Sequence, residues 1–449
     1  MAYPQTGPST VSSLLGVWAL FLAFLFLQVG NGLQRILLPI RGESEGIGAG
    51  AMGVIMAMHF AGYVVGAKVI PAFLASVGHI RVFAAVTSVA SAAVLLNALL
   101  VLPVTWSVIY FISGACTSGV YVILESWLND RATNETRGRI LGVYGIVSLL
   151  GTAMGAVLLN FGSADGFIMF VLASVLISLA VVPVTLSAST APPVPSEERM
   201  SLAELYRIIP SAVVGVVLCS FVQSGTTSMG AVFGTRAGLS TGRITLFASA
   251  AVIGAITLQL PLGALSDRYP RRAVILSIAA ISFGLAVIGA VTAPTSLVLV
   301  LINLIFGAFV FPLYGQFVAL ANDWVPPHKR IAAASALVMA SSCGAMLAPL
   351  TIGLLIEAFG PPAYFWSLAT CLAVLALYLS YRTRVREAVP VDEQSPFQPI
   401  LARSGGIAHS VGKWVLHPLA EWHQHKDEYR DVGPVKKRAT LGDSKTPEA

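Results

Sequence analysis

Long apolar runs recur along this chain, separated by short polar stretches. A helix needs about 20 predominantly apolar residues to cross the hydrocarbon core of a bilayer. Twelve segments meet that requirement: Ser12 to Ile40, Gly48 to Val77, Arg81 to Val101, Thr105 to Asn129, Gly138 to Phe161, Asp165 to Leu186, Ile208 to Arg236, Thr241 to Ser266, Arg271 to Val291, Ser296 to Asp323, Arg330 to Phe359 and Tyr364 to Tyr381. Their apolar character is continuous, whereas strands of a membrane barrel alternate apolar and polar positions. Helices are therefore predicted. Met1 to Thr10 carries no basic residue and the first run is too long for a cleavable leader, so that run is expected to stay as the first helix.

The two halves of this pattern repeat. Gly114, Tyr121, Asn129, Asp130, Arg137 and Gly151 recur as Gly307, Tyr314, Asn322, Asp323, Arg330 and Gly344 at a constant offset of 193 positions. Gln28, Gly30 and Arg41 recur as Gln223, Gly225 and Arg236 at an offset of 195. The expected fold is an all-α integral membrane protein with twelve transmembrane helices in two six-helix pseudo-symmetric halves, residues 12–186 and 208–381. A half-length repeat of this kind marks secondary transporters whose substrate site lies between the halves. Residues 1–11 form an N-terminal tail, 187–207 a linker and 382–449 a polar C-terminal tail. In the linker, Ser201-Leu-Ala-Glu204 reads as a capping box opening a short surface helix. In the tail, expected to be largely disordered, Ile407, Val411, Trp414, Val415 and Trp422 could share one face of an interfacial helix, which Pro418 interrupts.

Composition supports the membrane reading. Hydrophobic residues are 56% of the chain and charged residues 11%, against roughly 25% charged in a soluble domain. The net charge of +6 does not point to nucleic acid, because the basic residues are sorted by connection. Arg81, Arg131, Arg137, Arg139, Arg199, Arg207, Arg268, Arg271, Arg272, Lys329 and Arg330 fall in alternate connections, and the opposite ones hold Arg41, Arg236 and Arg243. The positive-inside rule then places both termini and the linker in the cytoplasm, with the protein in the plasma (inner) membrane. On that topology the Asn134-Glu135-Thr136 sequon is on the wrong side for glycosylation. Cys116, Cys219, Cys343 and Cys371 all fall inside apolar segments and are expected to be buried thiols, neither metal ligands nor disulfides.

The connection Gly263-Ala-Leu-Ser-Asp267-Arg268-Tyr-Pro-Arg271-Arg272 resembles the signature loop of the major facilitator superfamily, Gly-x-Leu-Ala-Asp-Arg-x-Gly-Arg-Arg. The equivalent stretch of the first half, Pro71 to Arg81, keeps Gly78 and Arg81 but has Ala75 where the family has aspartate. Glu125-Ser-Trp-Leu-Asn129-Asp130, followed by Arg137-Gly138-Arg139, resembles the YcaD-like branch of that superfamily. The resemblance implies that helices 1, 4, 7 and 10 line a central cavity. It also implies a cytoplasmic gate at Gly263, Asp267, Arg268, Arg271 and Arg272, with Asp130, Arg137, Arg139, Asp323 and Arg330 around it. In that gate Asp267 would meet the start of helix 5 at Arg137 and Arg139.

Thr117, Tyr121, Glu125 and Asn129 are spaced four apart and share one face of the fourth segment. An intramembrane ionisable residue is a functional hypothesis by default. Glu125 is thus a candidate for proton coupling, the alternative being a static ion pair with Arg81, Arg131 or Lys68. Lys68, deep in the second segment, either pairs with Glu125 or snorkels. Arg35 either binds an anionic substrate in the cavity or anchors the outer interface. Gln28, Asn31, Gln34, Tyr121, Gln223, Thr226, Thr227, Tyr314 and Gln316 are candidate substrate contacts, the alternative for each being a helix-joining hydrogen bond.

No phosphate-binding Gly-x-x-x-x-Gly-Lys-Ser/Thr loop occurs. No catalytic constellation is visible either, since His59 and His79 are about 30 Å apart along a helix. The chain is expected to be no enzyme, to need no cofactor or metal, and to act as a monomer on a small organic solute with a proton as coupling ion and lipid as its surroundings. A passive facilitator, or a sensor signalling through the tail, are the other readings.

Overall fold

The structure is a computed structural model that describes residues 18–131, 137–186, 200–385, 389–390 and 394. Twelve helices are long and apolar enough to cross a membrane. They are α1 (Trp18–Ser44), α2 (Ala49–Val77), α3 (His79–Leu99), α4 (Pro103–Arg131), α5 (Arg137–Leu158), α6 (Ile168–Leu186), α7 (Pro210–Arg236), α8 (Thr241–Arg268), α9 (Arg271–Val291), α10 (Leu297–Asn322), α11 (Arg330–Phe359) and α12 (Ala363–Val385). The chain is a multi-pass membrane protein. Among the described residues no strand occurs. The N-terminal tail, Ser12 to Val17 of the first apolar run, the sequon and the Ile407 to Trp422 stretch lie outside the described residues.

Helix ends follow local chemistry. Only Gly78 separates α2 from α3, at φ +89°, a backbone state that side chains disfavour. The Ser201 hydroxyl accepts from the Glu204 amide at 3.1 Å and caps the helix Leu202–Ile208. The Glu204 carboxylate is engaged by Lys329 Nζ at 3.1 Å, which ties this linker helix to the start of α11.

Packing repeats between the halves. In the first, α2 lies on α4, α1 on α5 and α3 on α6; in the second, α8 lies on α10, α7 on α11 and α9 on α12. Across the halves α2 packs on α11 and α5 on α8. The repeated glycines explain the close pairs: a side chain at Gly114 would strike the His59 backbone, and one at Gly307 the Ala251 backbone. Small residues at such points let helix backbones approach, which supplies the dispersion contact that drives association in lipid. Gly62 and Gly66 likewise press on Phe111 and Ala115, so this small-residue face is filled inside the fold.

One expectation is corrected. Cys116, Cys219 and Cys371 are buried, but Cys343 is exposed, because it projects from the outward face of α11.

Candidate functional site

A cavity of about 120 Å³ lies between the halves. The first half contributes Gln28 and Arg35 of α1, Phe60 and Tyr63 of α2, Tyr121 of α4, and Ser148 and Thr152 of α5. The second contributes Ser220, Gln223, Ser224 and Thr227 of α7, Phe311 of α10, and Ser341 and Ser342 of α11. Among the described lining residues Arg35 carries the one fixed charge, and no carboxylate appears.

Two of the helices are irregular where they meet the cavity. Residues Gly225–Met229 of α7 form a π-turn, a geometry often found at functional sites. Its hydroxyls fold back on the preceding turn: Thr226 Oγ1 donates to Val222 O (2.7 Å), Thr227 Oγ1 to Gln223 O (3.0 Å) and Ser228 Oγ to Ser224 O (2.5 Å). In α10 the helix is interrupted at Phe311, before Pro312, which has no amide hydrogen to give. Gln223 Nε2 donates to Val310 O (3.0 Å) and Phe311 O (3.1 Å) beside that break.

The repeat partner Gln28 has a different task. Its Nε2 donates to Ser148 Oγ at 2.8 Å and Tyr121 OH at 3.2 Å, with Thr152 Oγ1 at 3.5 Å. Phe24 stacks on Tyr144 at 4.5 Å and meets Tyr121 edge-on, which fixes the floor of this network. Ser220 Oγ is buried in the cavity wall and has no hydrogen-bond partner among the described residues.

Five of the expected contacts therefore line the cavity: Gln28, Arg35, Tyr121, Gln223 and Thr227. Asn31, Gln34, Thr226, Tyr314 and Gln316 are not in its lining. Thr226 bonds within α7, and Gln316 Nε2 donates to Leu262 O at 3.1 Å, joining α10 to α8. The serines of α5 and α11 were missed, although Ser148 and Ser341 obey the 193-residue offset and could have been found by it.

Glu125 is 1% exposed, and Tyr144 OH donates to its Oε1 at 3.4 Å. It sits below Tyr121 on α4, outside the cavity lining. Lys68 is exposed on α2 and makes no ion pair among the described residues, so the structure does not bring it to Glu125.

At the signature loop, Arg271 is clamped between two carboxylates. Its Nη1 donates to Asp323 Oδ1 (2.8 Å) and Oδ2 (2.9 Å), and its Nη2 to Asp267 Oδ1 (3.3 Å). The side chains of Arg271 and Asp323 are each 1% exposed, so this pair bonds in a dry setting where an unpaired charge would be costly. Arg272 is buried, Arg268 is exposed, and Ser266 Oγ donates to Gly263 O at 2.9 Å. Arg330 Nε donates to Val325 O at 3.4 Å; burial lowers the pKa of this guanidinium while the Asp323 carboxylate opposes the shift. The side chains of Asp130, Arg137 and Arg139 lie outside the described residues.

The opposite face joins the halves directly. Arg236 Nε pairs with Glu43 Oε2 at 2.9 Å, and Arg236 Nη2 donates to Ile47 O at 3.1 Å. Glu357 Oε2, at the end of α11, accepts from Gly50 N at 3.1 Å at the start of α2, where the helix dipole favours an anion. Thr245 Oγ1 of α8 donates to Asn160 Oδ1 at 2.9 Å.

The Major Facilitator Superfamily profile matches residues 212–424. The "Uncharacterized MFS-type transporter YcaD" of Escherichia fergusonii is 21% identical over 370 residues, covering 82% of this chain and 96% of that protein. The Escherichia coli protein of the same name is 21% identical over 365 residues, covering 81% and 94%. The second half of the chain thus matches the model of that superfamily, and most of the chain is similar to uncharacterized members of it. Solved structures agree on the fold. A bacterial homologue of the human lysosomal transporter Spinster, inward-facing and occupied, superposes with a TM-score of 0.71 at 16% identity, over 87% of this chain and 99% of that one. A mutant of the nucleoside transporter NupG gives 0.70 at 14% identity, over 82% and 99%, and the E. coli fucose:proton symporter FucP 0.54 at 16%, over 83% and 99%.

Proposed function

We propose that this chain is a major facilitator superfamily protein, a secondary active transporter that moves a small organic solute by alternating access, coupled to protons. The observation that carries the reading is the cavity walled by both halves, with polar side chains from each set in a mainly apolar lining, and with cross-half contacts joining Arg236 to Glu43 and Glu357 to Gly50 on one side of it. On the charge-based topology that side faces outward, so the contacts act as an outer latch and the described state is closed to the outside. The Arg271 clamp with Asp267 and Asp323 would brace the cytoplasmic gate, where Asp267 exchanges between Arg271 and the start of α5.

Proton coupling is assigned to Glu125, buried against Tyr144 and one helical turn from the cavity residue Tyr121. An ionisable residue buried in a membrane-spanning helix is a functional candidate by default, and one of the fold relatives, FucP, is a fucose:proton symporter. The test is transport in proteoliposomes with and without a pH gradient. Glu125→Gln is expected to abolish gradient-driven accumulation and to leave downhill exchange running. Accumulation that still follows the gradient in the variant would end the coupling assignment and leave passive facilitation as the reading.

A further inference from the structure

A second, much smaller pocket opens beside the central cavity, lined by Arg35, His59, Tyr110, Thr227 and Ser228 together with Met56 and Phe60. Arg35, Phe60 and Thr227 line both spaces, so the two are contiguous at the arginine. The side pocket measures about 10 Å³, room for roughly one water-sized atom. It lies against the π-turn of α7, whose hydroxyls are already committed to backbone carbonyls. The imidazole of His59 is set by Tyr110, with ring centroids 5.0 Å apart.

We propose that this side pocket is the subsite for the acid group of a small organic carboxylate, the substrate class of the transport reading on which this inference rests. Three features converge on it. Arg35 lines both spaces, and a guanidinium can engage a planar carboxylate through two parallel hydrogen bonds. The combined lining has this fixed positive charge and no carboxylate among the described residues, so a low-dielectric site favours an anion. The pocket admits one oxygen, with an imidazole nitrogen of His59 beside it, while the other oxygen stays in the main cavity facing Arg35. The body of the solute then lies against Phe60 and Tyr63, within reach of Gln28, Gln223 and the unpartnered Ser220 hydroxyl.

The test is thermal stabilisation of the purified full-length protein by matched sets of the same skeleton: benzoate, benzamide and benzylamine; nicotinate and nicotinamide; succinate and succinamide. Carboxylates are expected to raise the midpoint, with the amides and the amine leaving it unchanged. Arg35→Gln should weaken the carboxylates by about tenfold to a hundredfold, and Arg35→Lys should recover part of that loss. Thr227→Leu, which fills the side pocket without altering charge, should weaken them as well and serves if the arginine variants do not fold. Stabilisation by the neutral or cationic members alone, by no carboxylate at all, or undiminished in both Arg35→Gln and Thr227→Leu would overturn the subsite. Uptake into proteoliposomes separates this from the transport reading. A stabilising carboxylate that binds but never crosses keeps the subsite and removes transport. Flux of a neutral solute, unchanged in Arg35→Gln, does the reverse.

Discussion

Gln28 and Gln223 are the same residue in the repeat and do different things. Gln28 gathers Tyr121, Ser148 and Thr152 into a side-chain network, whereas Gln223 serves two main-chain carbonyls beside the α10 break. Side-chain hydrogen bonds between membrane helices contribute about 0.6 kcal/mol each on average. Gln28→Leu should therefore cost roughly 1–2 kcal/mol of stability, read as a lowered midpoint in detergent, and Gln223→Leu should cost about half as much. Equal losses would mean that the network around Ser148 is no tighter than the carbonyl contacts. The same contrast marks how far single residues were legible. The paired glutamines and Tyr121 announced themselves as polar groups in apolar helices. Tyr314 repeats Tyr121 yet lies outside the lining, fully buried within the second half.

The helices themselves were legible almost to their ends, since continuous apolarity, Gly78 and Ser201 are local signals. The irregularities were not. The offset of 195 that relates α1 to α7 runs unbroken from Gln223 through Gly225 to Arg236, straight across the π-turn. Spacing therefore gives no sign that the helical phase changes there; at that point α7 packs closely on two neighbours, where a side chain at Gly225 would meet Ile352 and Ala348 of α11 and Leu368 of α12. A π-turn has weaker hydrogen bonding than the α-helix around it. Amides of residues 226–230 should exchange with solvent deuterium at least about tenfold faster than those of 31–35 in the uninterrupted α1. Matched protection in the two stretches would show that the turn is as firmly held as an α-helix.

At the scale of the molecule, the repeated packing of six helices with six was foreseeable from two offsets, but the contacts that join the halves were not. Arg236, Glu43, Glu357 and Gly50 come from four different helix ends and share no motif. If they form a latch, Glu43→Gln should shift the population toward opening on that side. Cysteines placed near the cavity, in a background without the four native ones, should then react several-fold faster with an impermeant thiol reagent added from the Glu43 side. Unchanged reactivity would make the pair a surface contact with little influence, as exposed ion pairs often are. The interrupted helices that line the cavity, α7 and α10, belong to the second half, and their counterparts α1 and α4 run without a break, whereas the first half is interrupted at Ala180 of α6, outside the cavity lining. On the charge-based topology each six-helix half starts and ends on the cytoplasmic side, so exchanging the halves returns each face of the protein to itself and the repeat does not relate the inward-open form to the outward-open one. Nothing in the duplication makes the two open forms equal in energy: solute arriving from the face whose open form is rarer must draw on that rarer conformer, so the apparent affinities at the two faces differ even when every contact in the cavity is the same.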